Sequence, residues 1–167
     1  MECAQTRSGG AAMKKICITV LKVFGAAVLF LVMSLLVLLI VTPFANDRVA
    51  GNTAKELAEL PLPENTEYIE SVYRAGKLIG CGNGMQYLGA ILIRSDLSLE
   101  ALKAHYSSFA EHEWECVVER QTSAEIKLVE YAGGLSFKTD VEGDDYYIVY
   151  SWGDSDSVFH DLDIRGH

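Results

Sequence analysis

The residues best suited to chemistry are concentrated in the acidic tail, Gly153–His167. Its candidate metal ligands are Asp154, Asp156, His160, Asp161 and Asp163. Carboxylate oxygens and imidazole nitrogens are common ligands of divalent cations. An EF-hand loop would need a glycine at its sixth position, where Phe159 stands, so that motif is excluded. We therefore predict a solvated tail without a metal, and a looser divalent-cation site is the alternative.

Aromatic side chains form the second candidate site. Tyr146, Tyr150 and Trp152 alternate along the last predicted strand and therefore share one face. Rings on a strand usually build core, whereas an exposed face would suit a sugar or a cationic peptide through stacking and cation–π contact. No nucleophile motif of the G-x-S-x-G type occurs in the chain. We predict a protein without catalytic residues or cofactor, and an envelope hydrolase is the alternative.

One apolar segment decides the class of protein. Of the 167 residues, 50% are apolar, although the chain carries a net charge of −9. The apolar residues and the charges are concentrated in different parts of the chain. The stretch Val23–Val41 is apolar except for Ser34. A bilayer core of about 30 Å needs about 20 apolar residues in a helix, whereas the apolar run of a cleaved signal peptide has about 7–15. We predict an uncleaved transmembrane helix over residues 23–41.

The distribution of charge sets the orientation of this helix. The basic residues before the span are Arg7, Lys14, Lys15 and Lys22. One acidic residue accompanies them, whereas 10 basic and 22 acidic residues follow the span. The positive-inside rule therefore places residues 1–22 in the cytoplasm and the C-terminal part outside the cell membrane. So acidic a chain is not expected to bind nucleic acid; the predicted partners are the bilayer and an envelope protein.

Beyond the span, the sequence predicts a linker and then one small domain. Residues 42–63 hold all three prolines of the chain and are expected to form a stalk. Over residues 64–167, strand-like runs alternate with turn residues, and one stretch has helical spacing. Strands joined by tight turns pair antiparallel. We predict an α+β domain in which a single helix packs across one antiparallel sheet.

Local signals place the elements of this domain. Asn83-Gly84 predicts a two-residue hairpin turn between strands at Leu78–Gly82 and Met85–Arg94. Ser98 has the properties of a helix N-cap, and the apolar spacing after it predicts a helix over Leu99–His112. The other strands are expected at Glu67–Tyr73, Trp114–Gln121, Glu125–Tyr131, Leu135–Val141 and Tyr146–Trp152.

Two cysteines, Cys81 and Cys116, fall in the predicted outer domain. The compartment outside the cytoplasm permits a disulfide. One thiol lies near a predicted hairpin tip and the other begins a predicted strand, so the two can meet but need not. A small buried side chain is the commoner role of a cysteine on a strand. We expect free thiols, with a Cys81–Cys116 disulfide as the alternative.

Three segments of the outer part carry a resemblance: Pro63–Arg94, the following SDLSLEALKAHY and the late YYIVYSWGD. They are similar to a group of small, membrane-anchored bacterial proteins with an extracytoplasmic α+β domain and no known activity. The shared motifs are a hairpin, a helix cap and an aromatic last strand. The resemblance implies a location in the bacterial envelope and transfers no catalytic residue.

Taken together, these features predict a single-pass membrane protein that presents an acidic domain outside the membrane. The expected role is non-catalytic binding or modulation of an envelope partner. A sensor of divalent cations or small ligands, built on the acidic tail, is the alternative from another class.

Overall fold

A computed structural model of the chain describes residues 5–80, 84–109, 115–130, 134–153 and 159–166. The chain divides into two compact units, residues 1–40 and residues 41–167. Helix α1 (Gln5–Glu59) supplies the described part of the first unit. Its side chains over residues 23–41 are exposed, except for the half-buried Ser34. The predicted apolar helix is confirmed, and it is long and apolar enough to cross a membrane.

The second unit is built on a four-stranded sheet. After the end of α1, its elements are β1 (Thr66–Gly76), β2 (Gln86–Ser95), α2 (Leu99–Ser107), β3 (Val117–Arg120), β4 (Tyr146–Gly153) and a 3-10 turn (Ile164–Gly166). The strand order is β1-β2-β4-β3, and each neighbouring pair is antiparallel. The predicted fold class, an apolar helix followed by an α+β domain with one antiparallel sheet, is confirmed.

The segment predicted to be a stalk is instead part of this domain. Residues 42–59 continue α1, and Ala50, Ala54 and Leu57 are buried against the sheet. These three residues recur at the spacing of one helical turn and therefore form one apolar face. Pro43 lies within the helix and does not end it. Of the other residues that favoured a linker, Pro61 and Pro63 follow the end of the helix, whereas the charged residues Lys55, Glu56 and Glu59 are exposed on it.

Helix α1 crosses the sheet at two glycines. A Cβ atom on Gly89 would lie 2.7 Å from the carbonyl carbon of Thr53 and closer still to Ala54 N, and one on Gly153 would lie 2.5 Å from Thr53 Oγ1. The missing side chains therefore permit a close approach of helix and sheet. We call this face the helix side. Its buried core consists of Leu57, Ile91, Ile93, Leu102, Tyr106, Val118, Tyr147 and Val149.

The opposite face, the loop side, is covered by the described part of residues 121–145. Glu125 and Ser136 form an isolated bridge there, so the predicted strands Glu125–Tyr131 and Leu135–Val141 are wrong in the described residues. The apolar residues of these runs that the structure describes nevertheless pack against the core. The buried residues on this side are Leu78, Leu88, Ala90, Leu92, Ile126, Phe137, Val141, Ile148 and Tyr150.

The connection between β1 and β2 is longer than the Asn-Gly signal predicts. Gly76 pairs with Gln86, so the loop spans residues 77–85, and the predicted strand Leu78–Gly82 is wrong in its described part. Gln86 Oε1 accepts hydrogen bonds from Leu78 N and Ile79 N, both at 2.8 Å. Leu78 is fully buried. The loop is therefore held by a side chain and a core contact, and its tip, residues 81–83, lies outside the described residues.

Helix α2 begins where the sequence predicts. Ser98 Oγ accepts a hydrogen bond from Ala101 N at 3.2 Å, which confirms the N-cap. Leu102 and Tyr106 form its buried face. The helix ends at Ser107, before the predicted end at His112, and residues 110–114 lie outside the described residues.

Candidate functional site

The end of the chain folds back onto the beginning of the domain through one guanidinium group. Arg165 donates from Nε to Asp163 Oδ1 at 3.0 Å and from Nη2 to Asp163 Oδ2 at 2.8 Å. The same group donates from Nη1 to Asp47 Oδ1 at 2.9 Å and from Nη2 to Pro43 O at 3.0 Å. Arg165 thus joins the acidic tail to α1. We call this cluster, with Asn46, the clasp.

Asn46 lies at the centre of the clasp and is fully buried. Its Nδ2 donates to Asp163 Oδ2 at 2.9 Å and to Phe159 O at 3.2 Å, and its Oδ1 accepts from Tyr87 Oη at 3.1 Å. Tyr87 Oη also lies 3.4 Å from His160 Nδ1. Both the donor and the acceptor group of the buried amide therefore have hydrogen-bond partners, as the low polarity of a protein interior requires.

Electrostatics keep the clasp charged. Burial alone would raise the pKa of Asp163, but the hydrogen bonds from Arg165 and Asn46 outweigh it and lower the pKa to about 2. The hydrogen bond to Asp163 raises the pKa of Arg165 above its ordinary value. Asp163 is 1% exposed and accepts hydrogen bonds at both oxygens. Asp163 and Arg165 therefore form an ion pair in which the carboxylate is buried, and a metal-binding role for Asp163 stays a prediction.

The other acidic-tail candidates are dispersed where the structure describes them. His160 lies beside Tyr87, whereas Asp161 is exposed. Asp154 and Asp156 lie outside the described residues. Over the described parts of the chain, no three His, Cys, Asp or Glu side chains are placed to hold a metal ion. A cation site that uses Asp154 and Asp156 stays a prediction.

The aromatic residues of β4 pack on the loop side. Tyr150 is 6% exposed, and its Oη donates to Glu119 Oε1 at 2.9 Å. Burial, with a smaller effect of this hydrogen bond, raises the pKa of Tyr150. Tyr146 and Trp152 are half-buried against the same core. The rings contribute to the core, and ligand binding at their exposed edges stays a prediction.

Cys116 is the cysteine of the α+β domain that the structure describes. Cys116 has a free, half-buried thiol, and burial raises its pKa to about 11. Burial, and to a smaller extent the nearby Cys116, raises the pKa of Tyr106 to about 12. A thiol that stays protonated at neutral pH is a poor nucleophile. Cys81 lies outside the described residues, so its pairing with Cys116 stays a prediction.

Sequence reasoning missed a groove on the outer side of α1, which we call the Tyr73 groove. It encloses about 550 Å³ and is lined by Phe44, Asp47, Arg48, Gly51, Asn52 and Tyr73. The Tyr73 ring lies 3.6 Å from where a Cβ atom on Gly51 would be. Phe44 is 72% exposed and Tyr73 is 51% exposed. The spacing of Phe44, Arg48 and Asn52 at four residues was a usable signal, because it marks one helical face.

No family model, curated protein or solved structure matches this chain. The class of protein therefore follows from the structure itself: an α+β domain that comes after one long apolar helix.

Proposed function

We propose that this protein is anchored in a membrane by residues 23–41 and presents its α+β domain outside the cell membrane. The exposed apolar surface of that helix carries the proposal, because no part of its most apolar stretch is buried. Apolar surface left in water costs about 25 cal/mol per Å², and a bilayer would cover it. The basic residues before the span and the acidic excess after it support a cytoplasmic N-terminus.

The outer domain, in this proposal, acts by binding or modulating an envelope partner and not by catalysis. The support comes from what its reactive side chains do. Asp163 is hydrogen-bonded to Arg165 within the clasp. The raised pKa of the Cys116 thiol makes it a poor nucleophile. Tyr150 is committed to the loop-side core and to Glu119. Asp163 and Tyr150 thus contribute to the fold, and we assign the binding role to the exposed surface of the domain.

Thiol labelling tests the orientation. All four cysteines are first replaced by serine, and a single cysteine is then introduced as Ser8→Cys or as Lys103→Cys, which is exposed on α2. A membrane-impermeant maleimide should label the Lys103→Cys chain in intact spheroplasts and the Ser8→Cys chain only after permeabilisation. The reverse pattern would overturn the orientation. Release of the full chain into the soluble fraction by alkaline carbonate would overturn the anchor.

Crosslinking tests the binding role. A photoreactive amino acid is placed in the full chain at exposed positions of the outer domain, such as Lys103 and Lys138. In native membranes, at least one position should give a discrete protein adduct, and the partner can then be identified by mass spectrometry. Hydrolysis of an envelope component by the purified chain, with no adduct at any position, would contradict the binding role.

A further inference from the structure

Strand β1 leaves one edge of the sheet open. It has 11 residues and pairs with β2 on its inner side, whereas no strand in the described parts of the chain pairs with its outer side. Every second backbone N–H and C=O group of such a strand points away from the sheet and can pair with another strand. Short strands, prolines and lysines are common protections of an edge. The opposite edge strand, β3, has four residues, whereas β1 is long and contains neither proline nor lysine.

A bulge in β1 decides which of its side chains share a face. The pairing with β2 shifts at Ile69, which has no partner residue there. Tyr68 pairs with Ile93, which belongs to the helix-side core. Tyr73 pairs with Gly89, where α1 approaches the sheet. In an unbroken strand, side chains five positions apart point to opposite faces. Because of the bulge, both tyrosines lie on the helix side, where they are 39% and 51% exposed.

The order of side chains along β1 is complementary to itself. When two copies of the strand are set antiparallel with Ser71 opposite Ser71, and the bulged residue is passed over as it is in the pairing with β2, Tyr68 lies opposite Tyr73. In the same register Glu67 lies opposite Arg74, and both are on the loop side. Aromatic pairs and pairs of opposite charge stabilise neighbouring strands. Each contact occurs twice, as an interface with two-fold symmetry requires.

The surroundings of β1 leave room for these pairs. Residues directly opposite each other on antiparallel strands have Cβ atoms about 4.5–5.5 Å apart. The Tyr73 groove, of about 550 Å³, lies beside Tyr73 on the helix side and can receive an aromatic ring. On the loop side, Arg74 Nη2 donates to Gly134 O at 3.2 Å, which keeps the guanidinium beside β1. A guanidinium has five N–H donors and can bind a carboxylate in addition to a carbonyl oxygen.

We infer that the open edge of β1 binds a second copy of this chain. The two β1 strands pair antiparallel about a two-fold axis at Ser71, and two four-stranded sheets join into one of eight strands. Tyr68 of each copy enters the Tyr73 groove of the other, and Glu67 pairs with Arg74. A second copy is the occupant because one strand supplies both members of each pair, on matching faces. These residues all belong to the second unit, so the inference does not depend on the proposed anchoring.

Disulfide mapping tests the register. In the cysteine-free full chain, Ser71→Cys places a thiol on the proposed axis, and Lys103→Cys is the control on α2; both positions are exposed. Opposite Cα atoms of antiparallel strands are about 4.5–5.5 Å apart, which is within the range of a disulfide. Mild oxidation of native membranes should therefore convert Ser71→Cys, and not Lys103→Cys, into a covalent dimer. Dimers from both variants alike, or from neither, would overturn the inference, and so would a disulfide between Ser71→Cys and a different protein.

Two variants with the same change in charge test the pair of Glu67 and Arg74. Glu67→Arg places arginine opposite Arg74 twice in each dimer, whereas Glu115→Arg makes the change at an exposed position just before β3, at the opposite edge. Sedimentation equilibrium of the detergent-solubilised full chain, at physiological ionic strength, measures the Kd of the dimer. Glu67→Arg should raise it about ten-fold, because like charges directly opposite each other destabilise paired strands. Glu115→Arg should match the wild type. A Kd that Glu67→Arg leaves unchanged, or that Glu115→Arg raises as much, would contradict the pairing.

Discussion

The two faces of the sheet are covered by different kinds of structure. On the helix side, α1 and α2 satisfy most of their own backbone hydrogen bonds, and α1 approaches the strands closely at Gly89. On the loop side, the backbone bonds include Ile126 N to Leu135 O at 2.8 Å and Phe137 N to Ala124 O at 2.9 Å. Packing on the helix side therefore depends on a close fit between the backbones of helix and strand. Packing on the loop side depends instead on a few buried side chains that hold an irregular backbone in place.

The largest effect is expected where helix and sheet are closest. Gly89→Ala would place a Cβ atom 2.7 Å from the Thr53 carbonyl carbon, and helix backbone cannot move away without shifting the whole element. We expect the free energy of unfolding to fall by more than about 3 kcal/mol, at the upper end of overpacking effects. Denaturant unfolding of the detergent-solubilised full chain, followed by tryptophan fluorescence, measures it.

Gly51→Ala is the matched control for this prediction. Its Cβ would lie at an ordinary 3.6 Å from the Tyr73 ring, and alanine is a better helix former than glycine by about 1 kcal/mol. The variant should therefore be as stable as the wild type or more stable. A Gly89→Ala protein that unfolds like the Gly51→Ala protein would show that the helix side does not depend on this contact.

On the loop side, Phe137 is the side chain to remove. It is 3% exposed and belongs to a segment with little regular structure. Phe137→Ala should lower the free energy of unfolding by about 3 kcal/mol, the low end for a buried phenylalanine, because an irregular backbone can partly close the cavity. The same unfolding experiment compares it with Lys138→Ala, whose side chain is exposed. Equal stabilities of the two variants would mean that residues 121–145 do not complete the core.

The clasp, which joins the tail to the beginning of the domain, should make stability depend on pH. Asp163 has a pKa lowered from 3.8 to about 2, so the native state favours its charged form. The resulting stabilisation, about 2 kcal/mol, is present above pH 4 and is lost as the pH falls towards 2. Asp163→Asn should remove it at neutral pH and flatten this part of the pH profile. Measurements of unfolding between pH 2 and 7 test both effects.

The exposed Asp140 provides the control for the clasp. Asp140→Asn should leave both the stability at neutral pH and its acid dependence close to those of the wild type, because a surface charge contributes little. If Asp163→Asn keeps the full acid dependence of the wild type, the hydrogen bonds of Asp163 to Arg165 and Asn46 are not its source.

The sequence predicts the elements whose signals are local. The apolar run at 23–41, the cap at Ser98 and the alternating strand at Tyr146–Trp152 need only their own neighbours to be recognised. The alternation that predicts strands around Ile126 and Phe137 reports burial correctly. It does not report hydrogen bonding, because these residues pack on the face of the sheet and not at its edge.

Features that depend on distant residues could not be predicted in this way. Asn46 and Asp163 lie 117 residues apart in the chain, so nothing near either one indicates the clasp. The close approach at Gly89 depends on the part of α1 over residues 42–59, which the prolines of the expected stalk concealed. The predicted strand at Leu78 was overruled by the burial of that side chain in one core cluster with Ile126 and Phe137, which come much later in the chain. In each case the deciding contact is tertiary.

The smallest expected loss of stability comes from a local contact on the helix side, the N-cap of α2. It can be compared with the contact between distant residues at Gly89. Ser98→Ala removes the acceptor of the Ala101 N–H and should cost about 1 kcal/mol, the usual effect of losing an N-cap. Ser107→Ala, at the exposed end of the same helix, should change stability by less than about 0.5 kcal/mol. Hydrogen exchange should show faster opening confined to α2 in Ser98→Ala, because the cap acts on one helix only. Faster exchange throughout β2 and β4 would mean that the cap also supports the sheet, as Gly89 does, and would remove the distinction between the two kinds of contact.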